Sequence, residues 1–245
     1  MENKMPKLHK GQPEAGTRPW FTVKAKIGNA AEVFIYDEIG IGWYGGGVDA
    51  LELLKEIDAL GLKVGDELTV RINSPGGNFI DGNAIYNNLR SLKAKVITRV
   101  DGVAASAASI IAMAGDRIEM PANAMLFIHN PWTIVGGDAN TMRKAADDLD
   151  QMKSNALGTY MRKAGDKIGR SELAVMLDAE TWLSAEESVK YGLADVVDEP
   201  VRASALAKFD FAALGIPVPA ALAKAKESIA SDMARRREQL KALHI

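Results

Sequence analysis

The chain reads as an α/β protein built on a largely parallel sheet, and two stretches with one shared feature carry that reading. Glu67 to Asn73 (ELTVRIN) and Lys95 to Val100 (KVITRV) are β-branched runs of the length of buried strands. Each is followed by a turn and then a helical pattern. Ser74-Pro75-Gly76-Gly77 leads into an amphipathic helix that ends near Leu92, and Asp101 to Ala105 leads into an apolar run up to Gly115. Strand–turn–helix repeated in this way implies crossover units with parallel strands. Working groups in such sheets collect beyond the carboxyl ends of the strands, which brings both turns to one cleft.

The other elements follow in chain order. Residues 1–18 are polar, with Pro6, Gly11 and Pro13, and have the composition of a flexible N-terminal arm. Trp20 to Tyr36 suggests two short strands around Gly28-Asn29. Leu51, Leu53, Leu54, Ile57 and Leu60 recur at helical spacing and stop at Gly61. Glu119 to His129 holds another apolar strand, running into Asn130-Pro131. Asn140 to Ala164 is a long helical pattern with Leu149, Met152, Ala156, Leu157, Tyr160 and Met161 on one face. Its acidic residues Asp147, Asp148 and Asp150 read as a solvated surface, since no regular metal-ligand pattern accompanies them. Ser171 opens a short helix, and Ser184 with Glu187 has the capping-box signature of another that closes on Gly192. Val196-Val197 enters a last strand. Beyond Pro200 the Ala- and charge-rich end is helical by propensity. The expected organisation is an arm over 1–18, one domain over 19–200 and a helical extension over 201–245.

Composition narrows the function classes. The 245 residues, 47% hydrophobic and 25% charged, suit one large domain with appendages. A formal net charge of −2 gives no electrostatic case for nucleic acid. With zero cysteines there is no disulfide, thiolate metal site or cysteine nucleophile. The N-terminus lacks the apolar core of a secretory signal, and Val103 to Gly115 is too short to span a bilayer. A soluble, cytoplasmic protein without a membrane partner is expected.

Three groups carry candidate chemistry. Ser106 lies in the small-residue stretch DGVAASAASIIAMAG, at or near the first turn of a helix. Free backbone N–H groups at that position favour an oxyanion beside a serine nucleophile. The same stretch also suits a tightly packed core helix in which Ser106 and Ser109 merely cap. Gly76 and Gly77 let a backbone N–H approach a substrate with no Cβ in the way, although Pro-Gly-Gly also makes an ordinary tight turn. Of three histidines, His9 and His244 lie in the terminal segments, which leaves His129 as the candidate base.

The succession NSPGG (73–77), GVAASAAS (102–109), FIHNP (127–131), ETWLSAEE (180–187) and YGLAD (191–195) resembles the Clp protease proteolytic subunit family. The resemblance covers about residues 20–200, and five motifs in order are far more specific than any one of them. It implies a crotonase-like fold of repeated ββα units with a protruding handle helix, here Asn140 to Ala164. It implies a serine endopeptidase with Ser106 as nucleophile, His129 as general base, and the backbone N–H groups of Gly77 and Ala107 as oxyanion hole. No cofactor and no metal are implied. The partners it implies are a peptide or protein substrate and further copies of the chain in a heptameric ring or stacked rings, with an AAA+ unfoldase left open.

The family's third catalytic position, usually aspartate, holds Glu180 here, and Asp178 lies two residues before it. In an extended segment both carboxylates would face the same way. Glu180 is the expected choice, with Asp178 the alternative and a Ser–His dyad still open. The ETW sequence and the long C-terminal extension most resemble the prophage-encoded head maturation branch of the family. Two alternatives remain at this point: an acyl-CoA hydratase or isomerase of the same fold, and a capsid-assembly component whose catalytic site has decayed.

Overall fold

The computed structural model describes residues 21–41, 47–48, 50–200, 211 and 216–218. The arm expected over 1–18 lies outside these residues, as does nearly all of the helical extension expected over 201–245. Strands β1 (Phe21–Ile27) and β2 (Ala30–Ile35) form an antiparallel hairpin, and Gly28 supplies the left-handed conformation at its turn. Two short strands, β3 (Gly40–Ile41) and β4 (Gly47–Val48), pair beside the main sheet. Helix α1 (Ala50–Ala59) buries Ala50, Leu53 and Ile57, one face at helical spacing. Next come β5 (Glu67–Ser74) and α2 (Phe79–Ser91), whose N-cap Asn78 accepts from the N–H groups of Ile80 and Asp81.

The second half opens with β6 (Lys95–Ala105), α3 (Ala107–Ala112), β7 (Arg117–Pro121) and β8 (Met125–Ile128). The long helix α4 (Ala139–Ala164) leads through a 3-10 turn at Gly165–Lys167 to α5 (Arg170–Asp178). The last elements are β9 (Thr181–Ser184), α6 (Ala185–Lys190) and β10 (Val196–Asp198). Strand order across the main sheet is β1-β2-β5-β6-β7-β10, with β8 beside β6 and β9 beside β8. Within the main sheet only the β1–β2 and β8–β9 pairs are antiparallel, so the parallel core expected from the sequence is present.

One expectation is corrected. Asp101 to Ala105 is not a loop: β6 runs through it and changes partner. Its residues 97–99 pair with β7, and residues 103–105 pair with β8. Glycine and alanine there suit a strand buried on both faces between close neighbours, a composition that imitates a turn. The β5–β6 register slips at this point, and the Asn73 side chain accepts from the Val103 N–H at 3.2 Å.

The two faces of the sheet differ. Leu68, Val70 and Ile72 on β5 are fully buried beneath α1 to α3, each contributing about 1.5–3 kcal/mol by leaving water. The alternate positions carry charge. Arg71 grips Asp101 with two hydrogen bonds of 2.7 Å, and Arg99 joins the same carboxylate along with Glu119 and Asp198. Tyr36 donates to Asp101 as well, and burial followed by that carboxylate pushes its hydroxyl well above the ordinary range. The fully buried residues of α4 begin at Ala156, while its first half stands largely exposed.

Candidate active site

Ser106 sits where β6 becomes α3. Its N–H donates to the Phe127 carbonyl at 2.9 Å, still in the manner of a strand, while its own carbonyl already accepts from the Ser109 N–H at 2.9 Å. The change is made in one residue, at φ 54 and ψ −125. A left-handed conformation in a non-glycine residue is strained, and strain of this kind gathers where a side chain must be presented outward. Ser109 braces the turn, since its Oγ bonds the Ser106 carbonyl at 2.5 Å and the buried Tyr160 hydroxyl of α4 at 2.7 Å. Tyr160 and Ser109 were not among the sequence candidates for the site. The available signal was a lone tyrosine on the apolar face of the long helix.

His129 follows the last residue of β8, and its Nε2 lies 2.7 Å from Ser106 Oγ. Burial holds the imidazole pKa below its ordinary 6.5, with the charge of Glu180 pulling the other way. The ring is therefore neutral at neutral pH and its Nε2 can take a proton.

The two glycines come up opposite. Ser74 Oγ accepts from the Gly76 N–H at 3.1 Å and fixes the start of the loop. Residue 39 bridges the loop through the Gly76 carbonyl (2.7 Å) and the Asn78 N–H (2.8 Å), which leaves the Gly77 N–H outside the bridge. The Ala107 N–H is the first of α3 and has no intrahelical acceptor. Ser106, Ala107, His129, Gly76 and Gly77 line one cleft of about 840 Å³, together with residues 131–135 and with Leu149 and Met152 of α4.

The two carboxylates do not share a direction. Asp178 ends α5, Ala179 stays near helical angles, and Glu180 turns at φ 51, so the segment is not extended and the two side chains need not face the same way. Asp178 accepts from Asn130 Nδ2 at 2.8 Å and pairs with Lys153 of α4, which together hold its carboxyl below the usual range. Glu180 is exposed and acts on His129 through its charge, without a hydrogen bond to the ring. On the exposed half of α4, Asp148 pairs with Lys144, as suits a solvated face.

A family model described as Clp protease matches residues 15–200. The chain is 27% identical over 202 residues to the ATP-dependent Clp protease proteolytic subunit 1 of Protochlamydia amoebophila, covering 80% of this chain and 94% of that protein. Among solved structures it resembles a mutant of ClpP1 from Listeria monocytogenes, at a TM-score of 0.58 and 24% identity, covering 69% of this chain and 91% of the other. That likeness shows the fold.

Proposed function

The chain belongs to the Clp protease family, and on that premise we propose that it hydrolyses peptide bonds with Ser106 as nucleophile and His129 as general base. Ser106 Oγ attacks the carbonyl carbon while His129 Nε2, 2.7 Å away, takes the hydroxyl proton. The oxyanion of the tetrahedral intermediate turns toward the N–H groups of Gly77 and Ala107. Loss of one such donor typically costs on the order of 100- to 1,000-fold in turnover. His129 then returns its proton to the leaving amine, and water repeats the sequence on the acyl-enzyme. Glu180 stabilises the imidazolium by its charge, while Asp178 is committed to Lys153 and Asn130. The hydrogen bond between Ser106 and His129 at the cleft carries this reading. It also favours acyl transfer over hydration of an acyl-CoA.

The exposed half of α4 is assigned to contacts between copies of the chain, in a heptameric ring or a stack of two. Enclosure in a ring keeps the cutting site away from folded proteins. The residues that continue past the family match at 200 support placing the chain with the head maturation branch, where the substrate is a capsid or scaffold protein.

A fluorophosphonate probe tests the proposal on the assembled protein. Wild type and Ser109→Ala are expected to label, while Ser106→Ala and His129→Ala are not. An unlabelled wild type would overturn the mechanism and favour a decayed assembly component.

A further inference from the structure

The family model's match ends at residue 200, yet Ile216, beyond it, lines the cleft. Strands β6, β8 and β9 present one face to the helices. On the other face Val103, Ala105, Met125, Phe127 and Trp182 make a second, smaller apolar cluster, and Phe211, Ile216 and Val218 cover it. Three contacts hold this cover. The Phe211 ring stands edge-on to Trp182 at 5.8 Å, Trp182 Nε1 donates to the Pro217 carbonyl at 2.5 Å, and the Ile216 N–H donates to the Phe211 carbonyl at 2.9 Å. A continuous stack of rings leads from here to the base: Phe127 lies 4.8 Å from Trp182 and 5.0 Å from His129. Ile216, only 6% exposed, forms part of the same cleft wall as Ser106 and His129.

We propose that Phe211 and residues 216–218 complete the substrate cleft and that Ile216 is a specificity-determining residue, seating an apolar peptide side chain that flanks the scissile bond. This rests on the peptidase reading above. Ile216 is β-branched and stiff at χ1, and its backbone is tied to Phe211 on one side while the next carbonyl is held by Trp182. It is therefore a fixed wall. The cluster behind it is wholly apolar, so a charged side chain pressed against it would lose hydration without finding a partner. The wall also sets depth, and a group of one or two methylenes in such a pocket changes selectivity by roughly 10- to 200-fold.

The test is a fluorogenic peptide series on the assembled full-length protein, with Ala, Leu, Phe, Trp and Asp at each residue flanking the cut. Wild type is expected to favour Leu over Asp. Ile216→Ala should raise kcat/KM for Phe and Trp relative to Leu by about 10-fold, and Ile216→Val should move the same ratio in the same direction by less. Both variants should still label at Ser106. A labelled Ile216→Ala with the wild-type profile would overturn the role of Ile216, as would a wild type indifferent between Leu and Asp. Should Ile216→Ala fail to fold, an unchanged ratio in Ile216→Val overturns it equally. An unlabelled wild type instead refutes the peptidase reading itself.

Discussion

Replacing Gly76 with alanine tests whether close approach of the glycine loop positions the nucleophile. Gly76 has φ 95, and a Cβ there would stand 2.5 Å from the Ala105 carbonyl oxygen, 2.6 Å from Ser106 Cβ and 3.0 Å from the Ala107 nitrogen. Ordinary contact begins at 3.4 Å, so loop and turn must part by about 0.9 Å. Most of the opposing atoms are backbone, not the ends of flexible side chains, so they move only with the Ser106 turn itself. A displacement near 1 Å at reacting groups costs on the order of 100-fold in rate. The Gly77 N–H, the proposed oxyanion donor, is next in the chain and moves with the loop, and loss of one such donor costs a comparable factor. We expect Gly76→Ala to lower kcat/KM by about 100- to 1,000-fold. The left-handed conformation also penalises the alanine by roughly 1–2 kcal/mol of stability. Gly28→Ala is the control, since Gly28 has φ 62 but nothing within 4 Å of the added Cβ. It should show a stability loss of similar size and full activity. The assays are the second-order rate of fluorophosphonate labelling, peptide kcat/KM and thermal denaturation, each on protein shown by gel filtration to be assembled. Labelling of Gly76→Ala within a few-fold of wild type would refute the positioning argument. Equal loss of activity in Gly28→Ala would show the effect to be global.

Two further predictions concern charge. Burial lowers the pKa of His129 below 6.5 and Glu180 opposes it, so kcat/KM should rise with pH through an apparent pKa below 6.5. Glu180→Gln should move that limb to lower pH, whereas Asp178→Asn should move it less because Lys153 already neutralises Asp178. A limb that rises or stays in place in Glu180→Gln would remove Glu180 from the site. The same depressed pKa means the unfolded chain takes up the proton first. The stability His129 contributes is therefore complete above 6.5 and is lost as pH falls from there through the folded pKa. On the other face of the sheet, Asp101→Asn leaves Arg71 and Arg99 facing a neutral amide. Breaking a buried pair costs about 3–5 kcal/mol, and the partial exposure of both arginines reduces this to roughly 2–3 kcal/mol. Urea unfolding of Asp101→Asn checks it, and a loss under about 0.5 kcal/mol would show the network to be solvated.

What could be read from the sequence was whatever depends on local pattern. The runs at Glu67–Ser74 and Lys95 onward, the Asn140–Ala164 helix and the Ser184–Glu187 capping box appear where periodicity and capping chemistry put them. The missed features depend on tertiary contact. Asp101 to Ala105 has the composition of a turn, and only its change of partner from β7 to β8 makes it a strand. Glu119 to His129 reads as one apolar strand but is broken at residues 122–124, because β7 and β8 pair with different stretches of β6. Asp178 and Glu180 look equivalent two residues apart. A helix end at Asp178 and a positive φ at Glu180 send them to different partners. Ser109 and Tyr160 are 51 residues apart, and no spacing rule relates them.

The small-residue stretch and the strain at Ser106 have one cause. For β6 to leave β7, join β8 and turn at once into α3, the chain must pass closely between Gly76 on one side and Phe127 on the other. The single residue that reverses the chain then takes a left-handed conformation costing about 1–3 kcal/mol. Three hydrogen bonds oppose that cost: Ser106 N–H to Phe127, and the Ser109 N–H and Oγ to the Ser106 carbonyl. At roughly 0.5–1.5 kcal/mol net each, they suffice to hold the strain. The same turn leaves the Ala107 N–H without an intrahelical acceptor and sets Ser106 Oγ beside His129, so the geometry that makes this segment hard to recognise as a strand is also what presents its hydroxyl for chemistry.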